Sequence, residues 1–119
     1  MKLKWIMLAV FYIPSSVLVA QPLSSTEQQK IDFLKSELVN SSCLFERNGK
    51  QYNAKKAPKH INRKHSHFED DIDSVSKFIE LTATQSSMSG KPYFIICGDS
   101  KVESALWLKA RLSQTQTNK

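Results

Sequence analysis

Apolar positions recur at helical intervals in four stretches and as short runs of strand formers in two others. Ser24 stands three residues before Glu27, the spacing of a reciprocal N-terminal cap, and Ile31, Leu34 and Leu38 follow at offsets of three and four; a helix over residues 26–39 is predicted. The run Cys43-Leu44-Phe45-Glu46-Arg47 is rich in strand formers and ends at Asn48-Gly49, a dipeptide suited to a tight turn with positive φ. Ala57, Ile61 and Phe68 mark a second helix within residues 54–68, with Asn53 as its expected cap. Pro58 either begins that helix, where a missing N–H does no harm, or distorts its first turn.

Asp73 is the expected cap of a third helix carrying Val75, Phe78, Ile79 and Thr82 on one face, and the Ser/Gly stretch 86–90 stops it. Pro92-Tyr93-Phe94-Ile95-Ile96-Cys97 predicts a well-buried strand. Ser100 with Glu103 resembles another capping box, so a last helix is predicted over residues 101–113, and residues 114–119 read as a frayed polar tail. The expected fold class is α+β: about four helices packed on a small two- or three-stranded sheet in which the strands at 43 and 93 are neighbours.

The first 20 residues stand apart from this pattern. Lys2 and Lys4 precede the apolar run 5–13, Pro14 breaks it, and Val17-Leu18-Val19-Ala20 leads into polar Gln21, the layout of a cleaved export signal. A membrane-spanning helix needs about 20 consecutive apolar residues, so no transmembrane anchor is expected here. Cleavage after Ala20 leaves 99 of the 119 residues as one domain, 21–119, and removing the two lysines lowers the net charge from +6 to +4. The expected location is periplasmic or secreted. In an oxidising compartment the only two cysteines, Cys43 and Cys97, are expected to form one disulfide, and no Cys-x-x-Cys redox spacing is present.

Taken in order, Phe45-x-Arg47-Asn48-Gly49, Tyr52, Ala57-x-x-His60-Ile61, Phe78-Ile79 and Ser86-x-x-Ser89-Gly90-Lys91-Pro92-Tyr93 resemble the YfeK-like family of small periplasmic proteins. The resemblance implies export and an α+β fold, and it brings no established activity. Pro58 departs from the pattern within the Ala-x-x-His helix, and Ile61 stands where the family often has Leu.

Candidate chemistry is sparse. His60, His65 and His67 precede Glu69, Asp70, Asp71 and Asp73, but on a helix His65 lies about 140° around from His60, and His67 about 10 Å along the axis from it. Only a fold-back of the acidic segment could join them at a metal, so no metal or cofactor is expected. Ser74-Val75-Ser76-Lys77 matches Ser-x-x-Lys without its companion motifs, and Gly90-Lys91 lacks the upstream glycine of a phosphate loop. Asn40-Ser41-Ser42 is a formal glycosylation acceptor. Glu46 and Glu80 are the sole carboxylates offered for an enzymatic role, and nothing singles them out, so no catalysis is expected.

Charge placement is the informative feature. From Arg47 to His67 there is no acidic residue, while Lys50, Lys55, Lys56, Lys59, Arg63 and Lys64 are cationic. Lys55, Lys59 and Arg63 recur every four residues as a ridge. Arg47, Lys55, Lys59, His60, Arg63 and Lys64 are the expected partner-binding residues. The expected function is a binding module of the inhibitor or immunity type, which blocks a cell-wall-degrading enzyme through that enzyme's acidic surface. The alternative is an envelope protein that binds a small anionic ligand or a metal, at residues 60–73 or at loop 86–91. Nucleic acid is not an expected partner, since aromatic residues are not interleaved with the charges. A homodimer through a strand edge or helix face suits so small a domain.

Overall fold

The computed structural model describes Tyr12 and residues 23–117. The expected export signal and its cleavage point, Tyr12 apart, lie outside the described residues. Helix α1 spans Ser25–Asn40, and the Ser24 hydroxyl accepts from the Glu27 amide at 3.2 Å as its cap. The other half of the expected capping box is redirected: the Glu27 carboxylate accepts the Val75 amide at 2.9 Å, satisfying the first turn of a helix 48 residues away in sequence. That helix, α3 (Val75–Thr82), is capped by Ser74 rather than by Asp73, through a 3.1 Å bond from the Lys77 amide. Ser74 of the Ser-x-x-Lys match therefore has a structural task.

Between them lies α2 (Ala57–His67), followed by one 3₁₀ turn at Glu69–Asp71. Pro58 falls in its first turn, as the absence of a proline N–H favours. Asn53 does not cap this helix; its side-chain oxygen accepts from the Lys55 amide at 2.9 Å and shapes the preceding turn. Lys55 is thus in that turn, outside α2. The expected ridge loses its first member, and the helical part begins at Lys59.

The sheet has four strands, more than expected, in the order β2-β1-β3-β4: β1 (Leu44–Arg47), β2 (Lys50–Asn53), β3 (Phe94–Cys97) and β4 (Ser100–Glu103). All neighbours are antiparallel. Two hairpins built alike supply it. In the first, Asn48 and Gly49 both take positive φ, 52° and 78°, the conformation that makes a two-residue turn follow the sheet twist. The chain therefore returns as a second strand where a single strand is expected. In the second, Gly98 at φ 62° turns the chain back, and Ser100–Glu103 is a strand, correcting the expected capping box. The last helix, α4 (Ser104–Thr117), starts later and runs further than expected, through part of the presumed polar tail.

One sheet face is covered. Phe45 and Ile95, paired across β1 and β3, meet Ile31, Leu34 and Leu38 of α1, Ile61 of α2, Phe78 and Ile79 of α3 and Leu108 of α4 in a single buried cluster. The alternate positions Leu44, Glu46, Phe94 and Ile96 are exposed or half-buried on the other face, where Lys101 pairs with Glu46 at 2.8 Å and lies over Phe94.

Cys43 and Cys97 are bridged, with their α-carbons 4.6 Å apart. The Leu44–Ile96 register, extended by one residue, sets these cysteines opposite each other, so the bridge fastens the two hairpins side by side. Closing a loop over a 54-residue separation stabilises by about 4 kcal/mol in the chain-entropy account. The double variant C43A/C97A should accordingly lose about 4 kcal/mol of unfolding free energy in urea titration; a loss below about 1 kcal/mol would show that the covalent link contributes little.

Candidate functional site

Alternation along β1 places Arg47 on the same face as Phe45, at the end of the strand. The β1–β3 register, extended by one residue, sets Tyr93 opposite it. Helix α2 crosses this corner and brings His60 between them. An Arg47 Nη1 group donates to His60 Nδ1. The same Nη1 lies 3.3 Å from His60 Nε2, and Nε2 lies 3.1 Å from the Tyr93 hydroxyl. Lys64 donates to the same hydroxyl at 3.3 Å and to the Gln85 carbonyl at 2.8 Å. Tyr93 is buried, and the His60 and Phe45 rings pack against its ring.

Burial first, and then the charges of Arg47, Lys64 and Arg63, push the His60 pKa down to about 4. The imidazole is therefore neutral near pH 7. Lys64 is lowered by burial and then by Arg47, and burial raises Tyr93. Burial is the first cause of all three shifts; the Arg47 charge adds to it for His60 and Lys64 and opposes it for Tyr93.

Beside this network opens a cleft of about 320 Å³, lined by Phe45, Arg47, Tyr52, Lys56, Ala57, Lys59, His60 and Arg63. Four of these side chains are cationic, and among the described residues no carboxylate lines the cleft. Arg47 also lies over the Tyr52 ring, 5.7 Å from its centre. Of the six expected partner-binding residues, Arg47, Lys59, His60 and Arg63 line the cleft. Lys64 reaches the network from behind, and Lys55 is exposed in the preceding turn and is not part of the lining.

The remaining candidates are scattered. His65 turns away from His60 to meet Lys35 at 3.2 Å and the Phe78 ring, while His67 packs on Phe68. Among the described residues no group of three or more His, Cys, Asp or Glu could hold a metal ion. Glu46 pairs with Lys101 on the open sheet face, and Glu80 pairs with Lys77. The 86–91 loop is braced to the β1–β2 turn: Ser89 donates to Asn48 Oδ1 at 2.6 Å, and Asn48 Nδ2 donates to Ser86 Oγ at 3.4 Å.

Sequence reasoning left out Phe45, Tyr52, Lys56 and Tyr93 as site residues. The Asn48-Gly49 turn held the signal for one of them. A two-residue turn there pairs Arg47 with Lys50 and Phe45 with Tyr52, which puts Tyr52 beside the cleft.

Residues 25–116 match the model of a family described as "Family of unknown function (DUF5329)". The chain belongs to this family. It is also 32% identical over 72 residues to the uncharacterized protein YfeK of Salmonella typhimurium strain LT2. That match covers 60% of this chain and spans about 60% of the relative's length. The resemblance to the YfeK-like family read from the sequence is thereby borne out. No solved structure matches.

The depressed His60 pKa has a stability consequence with a definite sign. Between the ordinary histidine value of 6.5 and about 4, the unfolded chain binds the proton and the folded protein does not. Stability should therefore fall as pH drops through this window. An NMR titration should place the His60 midpoint near 4, and the Tm should decline less steeply from pH 7 to pH 4.5 in His60→Gln than in the parent. A midpoint near 6.5 with parallel Tm profiles would refute the assignment.

Proposed function

We propose that this chain is an exported, non-catalytic binding module whose cleft between α2 and the β1–β2 hairpin takes a small anionic ligand. The observation that carries the reading is the convergence of Arg47, Lys56, Lys59 and Arg63 around one concave, partly apolar space with no lining carboxylate among the described residues. Uncompensated charge of one sign in such a space concentrates oppositely charged ligands. Two of the cations are guanidinium groups, whose planar donors suit carboxylate or phosphate oxygens.

Absence of catalysis is consistent with the occupied state of His60, which is hydrogen-bonded to Arg47 and Tyr93 and so is poorly placed to act as a base. Export is supported by the disulfide, since such bonds persist in oxidising compartments. A second reading, the inhibitor of a cell-wall-degrading enzyme, is favoured by one feature. Lys59 and Arg63 are exposed on the cleft rim one helical turn apart, where an acidic side chain of a protein partner could reach them.

Calorimetric titration at low salt with a panel of small carboxylates, phosphates and sulfates tests the first reading. At least one should bind, with affinity that falls as salt rises. Lys59→Gln and Arg63→Gln should each weaken it about tenfold, while Lys77→Gln, on α3, should leave it unchanged. A panel without binding, or binding indifferent to Lys59 and Arg63, would remove the cleft as the site. Stoichiometric, salt-sensitive binding to an acidic exported hydrolase, with no response to small anions, would favour the second reading.

A further inference from the structure

A second hollow, of about 350 Å³, lies beyond the wall formed by Arg47, His60 and Arg63. Lys64, His67, Phe68 and Ser87 complete it. The two hollows have Arg47, His60 and Arg63 in common, so they lie side by side and line a groove that runs along α2, from Lys56 just before the helix to His67 at its end. At 1.5 Å per residue this is about 16 Å, too long for a ligand with one acidic group to fill.

Four of the basic side chains of the groove are spaced regularly, with Arg47 and Lys64 beside them. Lys56, Lys59, Arg63 and His67 follow one another at three or four residues, so they advance along α2 in steps close to one helical pitch of about 5.4 Å. The lining between them is neither uniformly charged nor uniformly apolar. Phe45 and Tyr52 lie at one end and Phe68 at the other, with neutral His60 between the hollows and the Ser87 hydroxyl at the far side. The loop bearing Ser87 is held in place by the Ser89–Asn48 bond and by the bond from Lys64 to the Gln85 carbonyl, so the far hollow has a fixed wall.

We propose that the groove binds a short acidic oligosaccharide with one acidic group on each sugar, its successive acidic groups facing Lys59, Arg63 and the Lys64–His67 end. The inference rests on the anion-binding reading and names the ligand of that site. Three features point to this class. The groove extends over several units, its hydrogen-bond donors Lys56, Lys59, Arg63 and His67 repeat at about the spacing of successive sugars, and its mixed lining suits both the C–H faces and the hydroxyls of a sugar. A condensed phosphate offers neither C–H faces nor neutral hydroxyls, and it sets its charges much closer together than one helical turn.

The test is titration of the oxidised full chain at low salt with galacturonate, its dimer and its trimer, alongside tripolyphosphate and triglutamate. The trimer should bind at least about tenfold more tightly than the monomer and more tightly than either non-sugar anion. His67→Ala should remove most of the trimer's advantage while leaving monomer affinity within about twofold, because His67 borders only the far hollow. Equal affinity for monomer and trimer would overturn the oligomer inference and leave the single-anion cleft standing. Tripolyphosphate or triglutamate binding as tightly as the trimer would overturn the sugar assignment. Binding of none of the five would overturn this inference, while binding of another anion from the small-anion panel would leave the anion-binding reading standing.

Discussion

The antiparallel join between β1 and β3, closed by the Cys43–Cys97 bridge, is the constraint on which the rest of this structure depends. Each hairpin alone is a pair of four-residue strands, and an isolated two-stranded hairpin is marginal in water. The β1–β3 pairing turns two such hairpins into a four-stranded sheet with one face wide enough to carry a helical layer. It does so across a long stretch of chain, at an entropic cost that the bridge reduces by restricting the unfolded state. The same pairing sets Arg47 opposite Tyr93, and the site grows from that juxtaposition. The strands that hold the core together are also the strands that supply two walls of the polar network.

The helices are tied into this frame by polar contacts that cross elements. Glu27 leaves its own helix to accept the first amide of α3, and Lys64 reaches from α2 to the carbonyl of Gln85 just after α3. Each of these bonds satisfies a backbone group outside the regular ladders. The first ties α1 to α3, and the second ties α2 to the segment that follows α3. Ala57 and Ile61 bury the inner side of α2, while Lys59 and Arg63 on its outer side rim the cleft. The apolar spacing of this helix thus decides which of its cations can converge.

Much of this was legible in the chain. Ile31, Leu34 and Leu38, or Val75, Phe78 and Ile79, identify their helices because burial on one face demands that spacing, and all six are buried. The disulfide followed from having two cysteines in a chain that begins like an exported one. Strand β2 was missed because Lys50-Gln51-Tyr52-Asn53 lies at the sheet edge and its inner-face positions are Lys50 and Tyr52, only one of them apolar, so it shows little apolar pattern. Strand β4 was missed for a more specific reason. Ser100 and Glu103 have the spacing of a capping box, but Gly98-Asp99 turns the chain back onto β3, and pairing with Phe94 and Cys97 overrides the local preference. At the site the cationic residues were visible as a charge run. Tyr93 and Tyr52 were not, because their roles depend on cross-strand register, which the composition of either strand alone does not carry.

The cleft itself is arranged against local electrostatic stability. Arg47, Lys56, Lys59, Arg63 and Lys64 gather at one corner of the fold with no lining carboxylate among the described residues to offset them, and like charges so placed repel one another. The structure moderates this repulsion instead of neutralising it. His60, at the centre of the cluster, sheds its proton and offers Nδ1 as an acceptor to Arg47, so the residue that would add another charge absorbs a donor from an existing one. Tyr93 then serves as a neutral hydrogen-bond partner for both His60 and Lys64. A protein selected only for stability would do better with an acidic side chain at this corner, where it would pair with several cations at once. On the anion-binding reading proposed above, the arrangement becomes favourable when a ligand brings the negative charge, because binding would then relieve a repulsion that the folded chain otherwise carries.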